Sequence, residues 1–168
     1  MSLSMYQASI PVFTRQLNNL STLLGLAAAD AEARKIDPSV LLNARLAPDM
    51  FPLVRQVQIA CDSAKAGIAL LAGIEAPQQT DDETSFADLQ ARIAATLAFL
   101  QGIVPGQIDG SEARDLILKR CDKETHFLGQ AFLLDHVMPN FYFHYTTAYA
   151  ILRHNGAAIG KRDFLGTR

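Results

Sequence analysis

The chain has few cysteines and no long hydrophobic run, and each shortage closes off a class of function. The two cysteines, Cys61 and Cys121, cannot build a disulfide framework. Neither belongs to a C-x-x-C pair, which excludes thioredoxin-type and zinc-finger readings. The longest apolar run, near Ile68 to Ile74, is far below the roughly 20 residues a bilayer span needs. The N-terminus carries no charged segment followed by an apolar one, so no signal peptide is expected and the default location is cytoplasmic. Basic blocks are also missing, and the formal net charge is -2. Nucleic acid is therefore not an expected partner, because phosphate binding needs clustered Lys and Arg. No G-x-G-x-x-G, Walker A or G-x-S-x-G motif occurs. No carboxylates share a helix face with histidine in the Glu-x-x-His arrangement of di-iron bundles.

What is present is helical periodicity. With 168 residues, 49% hydrophobic and 19% charged, the chain suits one domain, 1-168, with a sizeable core. Leu3, Tyr6, Ile10, Phe13, Leu17, Leu20, Leu24 and Ala27 alternate steps of three and four, the seam of a bundle helix. Pro11 sits in a first turn if this helix begins near Ser9 or Ile10, and kinks it if it begins at Ser4. Asp30 to Pro48 reads as a connection holding a short helix after Asp37, a good N-cap. A second long helix follows, with Asp49 as cap and Pro52 in the first turn. Its stripe is Val54, Val57, Cys61, Ala64, Ile68 and Leu71, ended by Gly73 and Pro77.

Pro77 to Thr84 reads as a solvent-exposed loop, with Asp81, Asp82 and Glu83 as its acidic cluster. Ser85 or Thr84 caps a third helix with the stripe Phe86, Leu89, Ile93, Leu97, Leu100 and Val104. Gln107 to Gly129 has no clean period, and two short strands or an irregular loop both fit. From Gln130 helix returns on two adjoining stripes. One is Leu134, Met138, Phe141, Tyr145, Ala148 and Leu152. The other is Leu133, Val137, Asn140, His144, Thr147 and Ile151. Pro139 kinks or divides this segment, Gly156 ends it, and Phe164 and Leu165 fold back on the core. Four long helices predict an all-α four-helix bundle.

The candidate site lies on the last long helix. Asn140, His144 and Thr147 fall at i, i+4 and i+7, one face that should be apolar and is not. Buried polar groups cost free energy unless paired, so they call for a ligand, a metal or a structural network. Gln58, one residue off the seam of the second helix, is a geometric possibility for a further donor. A zinc or nickel site would use His144, with Asn140 and Gln58 as weak amide donors, which is a poor transition-metal set. The plainer reading is a buried imidazole bonded to an amide or a tyrosine hydroxyl. His136 and His154 lie at different helical angles from His144. His154 suits the C-terminal end of the helix dipole. Arg153 is expected to pair with an acid or a loop carbonyl. Cys121 near His126 is either an activated thiol or an incidental polar loop. Phe141, Tyr142, Phe143, Tyr145 and Tyr149 surround one helix and cannot all face one core. They predict a dimer interface beside the core, or an aromatic-lined small-molecule pocket with Asn140, His144 and Tyr145 on its wall.

Met5-Tyr6-Gln7, the string Asn43 to Pro52, the segment Pro139 to Gly156 and the string Gly160 to Gly166 resemble the DinB/YfiT-like superfamily, in an uncharacterised bacterial branch. The resemblance covers essentially the whole chain. It implies an up-down-down-up bundle with a long crossover between helices two and three. Familiar members carry three metal-binding histidines, one on helix two and an H-x-x-x-H pair on the last helix. Some of them are thiol-dependent transferases or isomerases whose metal activates the thiol. Counting back from Arg153, His144 matches the second histidine of the pair, Asn140 stands at the first, and Gln58 lies near the helix-two position. The expectation is a small-molecule-binding or non-enzymatic protein, homodimeric, with a metal-free pocket around Asn140 and His144. The alternative is a metal-dependent transferase or hydrolase using His144 as ligand. A third reading is a structural protein that binds a partner through its aromatic face.

Overall fold

The structure, a computed structural model, describes residues 3–120 and 122–166. Helix α1, Met5–Ala33, starts under a capping box: the Ser4 hydroxyl accepts from the Gln7 N–H, and the Gln7 side chain accepts from the Ser4 N–H. Ser4 rather than Ser9 therefore sets the start, and Pro11 lies inside the helix. The helix also runs past Asp30, because Ala27 and Ala31, one turn apart, keep its inner face fully buried. The short helix α2, Pro38–Leu42, follows Asp37, whose carboxylate accepts from the Ser39 N–H at 2.8 Å. Helix α3, Leu53–Ala72, takes Pro52 as its N-cap, so Asp49 does not serve. Gly73 ends it at φ 68, and the Ile74 N–H reaches back to the Ala69 carbonyl at 3.0 Å. Helix α4, Phe86–Gln101, begins under the Ser85–Asp88 capping box. It stops before Val104, which is exposed.

The segment with no clean period contains the short helix α5, Pro105–Ile108, and two antiparallel strands, β1, Asp115–Arg120, and β2, Lys123–Leu128. The chain is thus mostly helical with one small sheet, and not purely helical. Leu116 is buried and its neighbour Ile117 is exposed, the alternation of a strand with one packed face. At Gly129 an added Cβ would stand 1.9 Å from the Ser111 carbonyl oxygen, so only glycine fits where the hairpin returns to helix.

Helix α6, Gly129–Ala131, runs into a π-helical turn, Phe132–Val137, and then into α7, Met138–His154. The Met138 N–H donates to the Leu133 carbonyl, five residues back. Pro139 follows and has no N–H to continue an α-helical ladder, which accounts for the wider turn before it. The wider turn puts Leu133 fully inside and leaves Leu134 at 44% exposure, correcting the seam expected through Leu134. The turn crosses α3 at Gly67, where a Cβ would lie 2.4 Å from a Val137 methyl. At the far end, the Ala157 N–H bonds the Leu152 carbonyl and Gly156 takes φ 88, a glycine-terminated helix end.

The long helices α1, α3, α4 and α7 share one core. Phe13, Leu17 and Leu24 meet Cys61, Ile68, Leu89, Ile93, Phe141 and Leu152 there. Phe13 and Phe141 pack edge to face at 5.0 Å. Cys61 is wholly buried, and burial pushes its thiol up to about 12. The last helix, α8, Lys161–Leu165, folds back as expected: Phe164 stacks on Tyr145 with ring centroids 4.4 Å apart, while Leu165 stays exposed. Among the described residues no helix is long and apolar enough to cross a membrane.

Candidate functional site

A cavity of about 420 Å³ opens between α3 on one side and the π-helical turn with α7 on the other. Its size is that of a small-molecule pocket. Helix α3 contributes Arg55, Asp62 and Ser63, and the facing wall contributes His136, Asn140 and His144. Ile59, Leu118, Phe132 and Val137 supply the apolar surface between them.

His144 is 8% exposed, so its ring needs a partner. Its Nδ1 lies 2.7 Å from the Gln56 Oε1. The Gln56 amide nitrogen donates to the Phe51 carbonyl at 2.9 Å, which fixes the amide's orientation. The oxygen facing the ring can only accept, so Nδ1 carries the proton and Nε2 keeps its lone pair. Burial, and then the positive charge of Arg55, hold the imidazole below its ordinary pKa. The ring is therefore neutral at physiological pH, with an acceptor to offer.

Asn140 is half-buried, and its amide nitrogen donates to the Ser63 hydroxyl at 2.6 Å. That hydroxyl in turn donates to the Ile59 carbonyl at 2.6 Å. The Asn140 carbonyl oxygen meets no donor among the described residues. Thus Asn140 and His144 line one cavity, each with an acceptor unspent.

The other predicted residues go elsewhere. Thr147 donates to the Phe143 carbonyl at 2.7 Å, within its own helix. Tyr145 is fully buried under Phe164, and its hydroxyl donates to the Phe164 carbonyl. Burial raises that phenol's pKa, so it stays protonated. Gln58 donates to Glu83 at 2.7 Å and accepts from Arg55 at 3.0 Å, and it does not line the cavity. Residues two apart on a helix point to nearly opposite sides, so Gln56 and Gln58 cannot both face α7. Gln56 is the partner of His144 that the sequence did not single out. Its only signal was an amide on an otherwise apolar face of the second helix.

The acidic loop departs from expectation at Glu83, while Asp81 and Asp82 are exposed as expected. The Glu83 side chain is 8% exposed, not free in solvent, because Arg92 draws it inward at 2.7 Å. The Arg92 side chain is 1% exposed and also holds Asp62 at 2.8 Å, Asp81 at 3.0 Å and the Thr80 carbonyl at 3.0 Å. A buried guanidinium is tolerated only when carboxylates surround it; the loop supplies Asp81 and Glu83, and α3 supplies Asp62. Asp81 also accepts from Arg55. Lys65 pairs with Asp62 at 3.3 Å.

His136 shares the cavity with His144 despite their different ideal helical angles. The π-helical turn advances each residue by a smaller angle, which narrows the gap. The His136 ring packs on Phe127, at 5.3 Å, and Phe132, at 5.7 Å, which also touch each other at 5.5 Å. His154 is exposed in the last turn of α7, and Arg153 donates to the Ala157 carbonyl at 3.3 Å, the loop-carbonyl partner expected. Cys121 lies outside the described residues, and with it the proposed thiol beside His126. Of the aromatic set on α7, Phe143 remains 55% exposed.

The residues present do not suit the metal that a DinB resemblance implies. Gln58 is turned to Glu83, Asn140 can offer only a neutral amide oxygen, and a single imidazole remains at the matching positions. Among the described residues no three His, Cys, Asp or Glu side chains converge as ligands.

Residues 5–165 match a family model described as a domain of unknown function, DUF1993. The crystal structure of a DinB family member protein from Shewanella denitrificans is 43% identical to this chain. The match covers 98% of this chain and 93% of that one, with a TM-score of 0.89. No curated protein matches the chain.

Proposed function

The chain belongs to DUF1993, a DinB-like family of unknown function, and we propose that it is a small-molecule-binding protein whose site is the cavity at Asn140 and His144. One observation carries this reading. Gln56 is clamped on the Phe51 carbonyl and holds the His144 Nδ1–H, so a neutral imidazole whose Nε2 has no partner among the described residues lines the cavity. An imidazole serving only the core would have both nitrogens paired. Here one is paired among the described residues, and among them the Asn140 oxygen is also free to accept. Ile59, Leu118, Phe132 and Val137 give the apolar surface such a ligand would lie against. The finer architecture we assign to the long helices is the up-down-down-up DinB arrangement. We keep the homodimer as part of the same reading, to be tested by light scattering, with Phe143 among the exposed apolar side chains.

The competing reading is a metal-dependent transferase or hydrolase with His144 as ligand. The amides at the other matching positions weaken it. Native mass spectrometry and metal analysis of protein prepared without a histidine tag separate the two. We expect a retained organic molecule that Ala66→Trp, which fills the cavity, loses. Stoichiometric zinc or nickel that disappears in His144→Ala would overturn the proposal.

A further inference from the structure

We propose that the ligand of this cavity is a small organic acid, its single carboxylate held by Arg55 and its apolar body laid against Ile59, Phe132 and Val137. This inference rests on the ligand-binding reading above and names its substrate class.

Arg55 lies in the first turn of α3 and lines the cavity. Its guanidinium uses one nitrogen, Nη1, for both Gln58 and Asp81. Its Nε and Nη2 meet no partner among the described residues. Two adjacent N–H donors on one planar cation match the two oxygens of a carboxylate. Asp81 does not depend on Arg55 either. Its other oxygen is held by Arg92 at 3.0 Å, so an incoming anion can displace it from Arg55 without stranding it.

The remaining charges set the limit at one negative charge. Arg92 and Lys65 are committed to Asp62, and Arg92 also to Glu83, so neither is available to a ligand. Asp62 itself lines the cavity and would repel a second negative charge. The apolar residues opposite favour a ligand whose remainder is hydrocarbon. The charge of Arg55 already reaches His144, where it contributes to holding the imidazole neutral. The two groups therefore belong to one site.

The test uses an isosteric pair, 3-phenylpropanoate and its neutral amide. Both are titrated into the full chain by calorimetry at low salt, with the His144 imidazole signals followed by NMR. The acid is expected to bind roughly tenfold or more tighter than the amide, the difference made by a charge-assisted hydrogen bond. In Arg55→Gln that ratio should fall to near one, with the His144 signals still shifting. Equal binding of acid and amide to the wild type, with His144 perturbed, would overturn the acid and leave the cavity reading standing. Full retention of the ratio in Arg55→Gln would remove Arg55 from the site. If neither probe perturbs His144, both the acid and the cavity reading fall.

Discussion

The Gln56 amide oxygen lies 2.7 Å from the His144 Nδ1, and this one contact decides the state of the ring. The amide has its other end on the Phe51 carbonyl, so it cannot rotate to offer a donor. The proton is therefore on Nδ1, and the ring enters the cavity as an acceptor.

Replacing Gln56 should expose that dependence. Gln56→Leu leaves the Nδ1–H buried without an acceptor, a loss of about 1–3 kcal/mol. Urea denaturation measures the cost. Nitrogen NMR should find the Nδ1-protonated tautomer in the wild type and a mixture in Gln56→Leu.

His144 should also make stability depend on pH. Its pKa is lowered in the folded chain, first by burial and then by Arg55. Below the ordinary value of about 6.5 the unfolded chain takes up the proton first. The stability is fully present above about pH 6.5 and is lost as pH falls toward the folded pKa, by at most ~1.4 kcal/mol per pH unit. Denaturation midpoints of the wild type and His144→Phe, compared from pH 7.5 to 5, should diverge with that sign. An imidazole midpoint at or above 6.5 by NMR would contradict it.

Arg92→Met should be among the most damaging substitutions in the molecule. It leaves the Glu83 side chain, at 8% exposure, without its cation and releases Asp62 and Asp81. Breaking a buried ion cluster from one side costs about 3–5 kcal/mol. The double variant Arg92→Met, Glu83→Gln should recover part of that loss, measured by the same denaturation curves.

Gly67→Ala tests the close crossing of α3 with the π-helical turn. The new methyl would meet a Val137 methyl at 2.4 Å, so one element must shift, at a cost of about 1–3 kcal/mol. Val137→Ala should restore most of the stability when combined with Gly67→Ala. Additive losses in the double variant would refute the steric account.

The long helices were legible because their burial follows a single period. Leu17, Leu20 and Leu24 fall where the seam puts them. The end of α1 was not, because small alanines carry the seam onward without a strong apolar signal. The hairpin has a weak sequence signal because β1 packs only one face, as buried Leu116 and exposed Ile117 show. Asn140 and His144 stood out as polar residues on a core stripe, and the structure brings them to one cavity. Gln58 drew attention in place of Gln56 because a sequence gives spacing without absolute rotation. Glu83 read as solvent-exposed because its partner Arg92 acts across the loop, where no local pattern reports it. His136 was set apart by ideal helical angles that the π-helical turn does not obey.

The sealed thiol of Cys61 has a practical use. With no accessible surface and its ionisation pushed up to about 12, it cannot react with iodoacetamide while the helices stay together. In a Cys121→Ser background, alkylation of Cys61 therefore becomes a clock for global opening, and a bound ligand that slows the clock reveals itself without any assay of its chemistry.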